Sequence, residues 1–292
     1  MPKSPKSHIL VLGATGQQGG SVARHLLAAG IPVRALVRNI KAPKALQLKE
    51  HVAELVAGNF ENRQSLEVAL RDCTGVFSVQ NFWEKGIGYE GEVRQGKLIA
   101  DLAAQAKIQH FVQSTMAHAK SVKGVRHFES KREIEAHIDS IKLPRTFLGT
   151  VYFMDNFLDP TKGGSLTFPT LSGTLHPDTK MHLLFADDIG KAVCRIFQIG
   201  ESLIGHQISL VGDFLTVAQM KDLYQNTTGR RAKRFSIPKW LLGLLNREFK
   251  DQLEWHNEIN FSFEQQDAES LLGFKPKSFA EFIRQNATKL EL

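Results

Sequence analysis

Apolar runs of four to six residues alternate along the first half of the chain with longer segments whose apolar positions recur every three or four residues. The runs His8–Leu12, Val33–Val37, Ala53–Ala57, Gly75–Val79, His110–Gln113 and Thr146–Val151 predict strands. Between them, Gln18–Ala29 places Val22, Leu26 and Leu27 on one face and stops at Gly30, a residue suited to a helix C-cap. Ser65–Leu70 and Glu90–Ala106 follow a helical period, the second through Val93, Leu98, Leu102 and Ala106. Strands alternating with helices predict βαβ units and a parallel, doubly wound α/β sheet.

Beyond residue 155 the rhythm changes. Asp159–Pro177, rich in Gly, Pro, Ser and Thr, reads as an irregular excursion. A strand (Met181–Phe185), a helix (Asp187–Gln198) and a strand near Gln207–Val211 are expected to rejoin the main sheet. The remainder reads as mainly helical, with apolar faces at Leu241, Leu244 and Leu245 and at Phe279, Phe282 and Ile283. The expected organisation is a doubly wound α/β domain from 1–155 and 183–212, with a smaller, mainly helical C-terminal lobe from 156–182 and 213–292.

A length of 292 residues is enough for about two domains and a sizeable core. Cys73 and Cys194 form no CxxC, so no disulfide framework or cysteine metal site is indicated. The eleven histidines contain no HExxH. No stretch reaches the roughly 20 apolar residues of a membrane span, and the N-terminal apolar run is short for a signal peptide. A reducing, cytoplasmic setting is expected. The net charge of +7 favours anionic partners in general. The basic run GRRAKRF (229–235) carries no nucleic-acid reader motif and reads as a solvated loop or a contact for an acidic protein.

The first strand runs directly into GATGQQGG, residues 13–20, and then into a helix. In that context Gly13 permits the turn, Gly16 lets a pyrophosphate approach the backbone, and Gly19 allows close helix–strand packing. The helix N-terminus offers N–H groups to phosphate. About 20 positions on, an NAD site places an acid for the ribose 2′-hydroxyl. This chain has no Asp or Glu between Gly20 and Lys49, and Arg38 stands at the end of the second strand. A guanidinium there suits a 2′-phosphate, which favours NADP(H); the plain alternative is a solvated basic strand end.

GATGQQGG, the VRALVRN end of the second strand, AGNF (57–60), NFWE (81–84), HFESK (127–131), YFMDN (152–156) and FADDIG (185–190) together resemble the NmrA-like family. These are atypical short-chain dehydrogenase relatives with a Rossmann domain. The resemblance implies NADP(H) held by Gly13, Thr15, Gly16, Gln17, Gln18 and Gly19, by Arg38, by Asn59 and Phe60, and by Lys131, Tyr152 and Phe153. Where the family has a Gly-Asp pair near the adenine, this chain has Gly58–Asn59.

Active short-chain dehydrogenases use Tyr-x-x-x-Lys with a Ser. This chain keeps Ser114 and Lys131 but has His127 at the tyrosine position. His127 titrates in the range of a general acid, yet also suits an exposed helix start. Ser114 is equally consistent with turn chemistry, and Lys131 with a solvated helix lysine. Phe82, Trp83, Tyr152, Phe153 and Met154 are candidates for an apolar pocket, or for packing. The leading reading is an NADP(H)-binding, redox-sensing regulatory protein with little or no dehydrogenase activity, for which a regulatory protein is a candidate partner. The alternative is an NADPH-dependent reductase of quinones or small apolar carbonyl compounds.

Overall fold

The computed structural model describes residues 8–51, 53–117, 124–162, 164–233, 235–258 and 266–291. They fall into two compact units. One comprises Met1–Ser121, His127–Gly149 and Asp187–Ile208, the other Val122–Arg126, Thr150–Ala186 and Ser209–Leu292.

The first unit begins as the pattern predicts, with β1 (His8–Val11), α1 (Gln17–Ala28) and β2 (Val33–Val37). It continues through α2 (Pro43–Glu50), β3 (Glu54–Ala57), α3 (Arg63–Leu70) and β4 (Cys73–Ser78). Then come α4 (Gly88–Gln105), β5 (His110–Met116), α5 (Arg126–Ser140) and β6 (Arg145–Thr150). Helix α2 is not signalled by periodicity, because only Ala45 and Leu48 turn inward; Pro43 starts it, where its fixed φ and missing N–H are harmless.

The chain then forms β7 (Tyr152–Phe153), α6 (Thr167–Thr174), β8 (Lys180–Leu184), α7 (Asp187–Ile199), β9 (Gln207–Ser209) and β10 (Asp213–Thr216). It closes with α8 (Val217–Thr228), α9 (Lys239–Leu245), α10 (Arg247–Glu258), α11 (Gln266–Leu272) and α12 (Phe279–Asn286). The main sheet has seven strands in the order β3-β2-β1-β4-β5-β6-β9. The pairs β2–β3, β1–β2, β1–β4 and β4–β5 are parallel. This is the expected doubly wound Rossmann arrangement.

Strand residues alternate between its two faces. Leu10, Leu12, Leu36, Val76, Phe111 and Phe147 meet Leu66 and Leu70 of α3, Ile99 and Leu102 of α4 and Ile134 and Ile138 of α5 in one core. On the other face lie α1 and α7. A Cβ on Gly75 of β4 would come within 2.6 Å of both Ile9 and Phe197 of α7, so that strand and that helix meet closely.

Three expectations need correcting. Met181–Phe185 does not rejoin the main sheet: β8 pairs antiparallel with β10 and parallel with β7 in a separate three-stranded sheet. The reason is packing, since Met181 and Leu183 fill the second unit's own core with Phe157, Phe168, Tyr224, Phe279 and Phe282. Asp159–Pro177 is not irregular throughout. It holds α6, whose Phe168 and Leu171 are fully buried, and Pro169 falls in the first helical turn, where no intrahelical donor is needed. In α9, only two turns long, Leu242 points inward while Leu244 and Leu245 are 77% and 76% exposed. Phe279, Phe282 and Ile283 are buried as expected. No helix among the described residues is long and apolar enough to cross a membrane.

Helices α1 and α7 approach closely enough to forbid a side chain. A Cβ at Gly190 would lie 2.3 Å from Ser21 Oγ and 2.5 Å from the Ser21 carbonyl. Beside it, Asp187 accepts from Ser21 Oγ at 3.0 Å and Arg24 at 3.0 Å, and lies 3.2 Å from His25 Nε2. Gly190→Ala should therefore destabilise the fold by about 1–3 kcal/mol, the usual range for overpacking. The check is a fall in denaturant midpoint at constant slope; an unchanged midpoint would mean the two helices separate freely.

Candidate functional site

At the end of β1 the chain turns on Gly13, whose φ of +63° is a left-handed conformation that other residues adopt only under strain. The Gly16 amide donates to the Gly13 carbonyl at 2.8 Å, closing the loop. A Cβ at Gly19 would sit 2.4 Å from the Gly13 oxygen and 2.5 Å from the Leu12 oxygen, so only glycine lets α1 start this close to the strand. Gly16 differs. Its backbone is extended (φ −90°, ψ −177°), and a Cβ would meet only the Gly13 oxygen at 3.1 Å, which leaves the loop's outer side open. No side chain caps α1 and its first turn has no acid, so the positive end of the helix dipole faces the loop uncompensated. Thr15, Gln17 and Gln18 are half-buried around it. These residues fit a dinucleotide's pyrophosphate.

Arg38 follows β2 directly and its side chain is 73% exposed. It is engaged, however: its guanidinium donates to Glu84 Oε1 at 2.6 Å. Glu84 belongs to the loop after β4, and nothing in a separation of 46 residues pairs it with Arg38 in sequence. Asn59 is exposed, but its side-chain oxygen accepts from the Glu61 amide at 2.8 Å in a local turn. Phe60 is half-buried against the core beneath α3 and α4.

The three residues proposed for chemistry are all tied to other groups. Ser114 lies inside β5, not at its end, is buried, and donates to Gln18 Oε1 at 2.6 Å. This bond joins the fifth strand to the glycine loop. Lys131 is a buried helix lysine, not a solvated one; its ammonium donates to Glu92 Oε1 at 2.7 Å. Glu92 has no exposed surface and also accepts from Ser130 Oγ. Burial works to raise the Glu92 carboxyl, but the charges of Lys131 and His127 and the bonds from Lys131 and Ser130 hold it below the usual range.

His127 is not an exposed helix start. Its ring lies 4.9 Å from Phe82, 5.2 Å from Trp83 and 5.6 Å from Phe128, with Nδ1 3.9 Å from Glu92. Burial pushes its pKa down to about 4, against the pull of Glu92. Glu92 is the residue that periodicity missed, though a signal existed. In α4 the buried positions include Glu92, Gln95, Gly96, Ile99, Leu102 and Ala103, so an acid falls on the inward stripe.

The five aromatic and sulfur side chains expected to share one pocket divide between the units. Phe82 and Trp83 pack on His127 in the first. Tyr152 and Met154 are buried in the core of the second, and Phe153 is half-buried there. The Tyr152 ring lies 6.1 Å from Phe157 and 6.4 Å from Phe249, and burial pushes its phenol up to about 12.

Breaking the Glu92–Lys131 pair should be expensive because it strands a buried ammonium. Glu92→Ala is expected to destabilise by about 3–5 kcal/mol, while the double change Glu92→Leu with Lys131→Leu recovers most of that. Denaturant melts of the wild type and the two variants check this; a mild effect of Glu92→Ala alone would show that water reaches the pair. Since the folded Glu92 carboxyl is held low, its contribution is present above its unfolded pKa and fades as pH falls through the folded value.

A profile of the NmrA-like family matches residues 5–283. An NmrA-like family domain-containing oxidoreductase from Aspergillus hancockii is 30% identical over 256 residues, covering 80% of this chain and 76% of the relative. Among solved structures, NmrA, a negative transcriptional regulator in complex with NAD, superposes with a TM-score of 0.75 at 22% identity, covering 97% of this chain and 95% of that one. The Citrobacter sp. triphenylmethane reductase complexed with NADP(H) gives a TM-score of 0.78 at 19% identity, covering 96% and 99%. With its glycine loop, its sheet order and a match over nearly its whole length, the chain belongs to the NmrA-like family.

Proposed function

We propose that this chain is an NADP(H)-binding regulatory protein of the redox-sensing kind, with little or no dehydrogenase activity. The observation that carries this reading is the commitment of Lys131 to Glu92, beside a histidine held neutral. The binding half of the site is built from backbone: the Gly13–Gly19 loop and the start of α1 for the pyrophosphate, with Arg38 for a 2′-phosphate and Asn59 and Phe60 beside the adenosine end. When bound, the reduced dinucleotide supplies a hydride. To use it, a carbonyl reductase also needs a proton donor for the product oxygen.

This chain is poorly equipped to give one. With its pKa pushed down to about 4 by burial, His127 is mostly neutral near pH 7. The positive charge of Lys131, which in a Tyr-x-x-x-Lys site lowers the phenol, is neutralised by Glu92 at 2.7 Å. The Ser114 hydroxyl is spent on Gln18. A regulator that reads the dinucleotide through binding alone needs none of these groups free, and the NAD-bound regulator NmrA supports that reading. The protein partner remains part of the proposal. The names of the Aspergillus oxidoreductase and the triphenylmethane reductase favour the second reading, NADPH-dependent reduction of quinones or small apolar carbonyl compounds.

Titration calorimetry should show NADPH binding to the purified chain. Gly16→Val should abolish it while circular dichroism and melting stay near wild type, because the added side chain meets only one carbonyl inside the protein. Retained binding in that variant would place the nucleotide elsewhere.

NADPH oxidation against a quinone panel should stay at background, and His127→Ala should change nothing. Saturable turnover that falls about 100-fold in His127→Ala, the usual range for a lost general acid, would make this chain a reductase.

A further inference from the structure

The ion pair between Arg38 and Glu84 lies where a dinucleotide would have to enter. In the sheet, β2 and β4 flank β1. Arg38 follows β2, Glu84 follows β4 by a short loop, and the glycine loop rises from β1 between them. The 2.6 Å bond therefore spans the end of β1, bridging two strands about 10 Å apart. In open α/β sheets the crevice at that end, where the strand order reverses, is the ligand site. Both side chains are solvent-accessible, at 73% and 43%, so the bridge is a breakable surface contact and not part of the core.

We infer that Glu84 is a specificity-determining residue: an internal anion that competes with the dinucleotide's 2′-phosphate for Arg38. This rests on the cofactor reading above and deepens it. Glu84 already occupies Nη1 of the guanidinium, so a 2′-phosphate must displace the carboxylate or share the guanidinium with it, and in either case it lies near a second negative charge. A dinucleotide without that phosphate leaves the ion pair's charges balanced and offers ribose hydroxyls, which the Glu84 carboxylate can accept. Elsewhere the acid that binds the ribose comes from the end of the second strand. Here that strand ends in Arg38, and the acid arrives from the loop after β4. The two opposed residues thus narrow the preference that Arg38 alone would give, so the site responds to phosphorylated and unphosphorylated dinucleotides within a closer range of concentration.

The test is titration calorimetry of NADP+ and NAD+ with the full-length wild type, Glu84→Gln, Arg38→Ala and the double variant. Glu84→Gln should tighten NADP+ at least about threefold, since an exposed pair alone is worth up to about fivefold and relief of repulsion adds to it. NAD+ should bind as in wild type or more weakly. In the Arg38→Ala background the gain from Glu84→Gln should largely vanish, because competition needs the guanidinium. An unchanged or weakened NADP+ affinity in Glu84→Gln overturns this inference and leaves the cofactor reading standing. An equal gain with and without Arg38 overturns competition as its cause. Failure of the wild type to bind either dinucleotide overturns the cofactor reading and this inference together.

Discussion

A carboxylate with no exposed surface is tolerable in a protein only if charge and hydrogen bonds replace the water it has lost. Glu92 meets that condition through Lys131 and Ser130, one turn into α5. The requirement reaches outward into the fold. One turn along α4, a Cβ on Gly96 would lie 2.5 Å from Ile134, so the two helices touch almost backbone to side chain. That approach lets a glutamate on one helix reach a lysine on the other. The same packing sets the first turn of α5 and thereby places His127 against the touching rings of Phe82 and Trp83. The interaction that pairs the two helices also sets the charge environment of His127.

The nucleotide side of the site depends on different physics. Its key features are a left-handed Gly13, a Gly19 with no room for a side chain, and an uncapped helix start. These are backbone properties, secured by glycine and by the order of strands, and they are indifferent to what stands at 114, 127 or 131. Binding and transfer are therefore separable in this architecture. Ser114 is the point where they touch: its bond to Gln18 couples β5 to the glycine loop, so a ligand that moves Gln18 also changes what Ser114 can donate to.

Features fixed by local pattern were legible in the sequence. The six strands of the first half, α1 and the loop follow from period and from glycine spacing, and the structure places them within a residue or two, except that β5 runs three residues past Gln113 to Met116. What pattern could not supply was long-range. The Glu84–Arg38 pair joins residues 46 apart, and no local rule selects among the chain's acids. Strand β8 has an ordinary strand sequence, and its choice of sheet is decided by whose core Met181 and Leu183 complete. Helix α6 was hidden by Pro, Gly and Thr, residues that weigh against a helix in isolation, while burial of Phe168 and Leu171 outweighs that preference. For His127 the residue type suggested titration near neutrality, and only its aromatic surroundings reveal a ring kept neutral.

A tyrosine at position 127 would meet a charge environment unlike that of a Tyr-x-x-x-Lys site. A phenol at position 127 would stand beside Lys131, as the catalytic arrangement requires, but it would also stand beside the ionised Glu92, now 3.9 Å from the imidazole. A nearby carboxylate raises a phenol's pKa, and it does so at the distance where the lysine is meant to lower it. The two charges nearly cancel at that point. A phenol at 127 with a lowered pKa would therefore take at least two changes, a tyrosine at 127 and a neutral residue at 92, and the second would also unbalance the buried lysine that pairs α5 with α4. Through Glu92 alone, the pairing of α4 with α5 and the charge environment of position 127 are coupled.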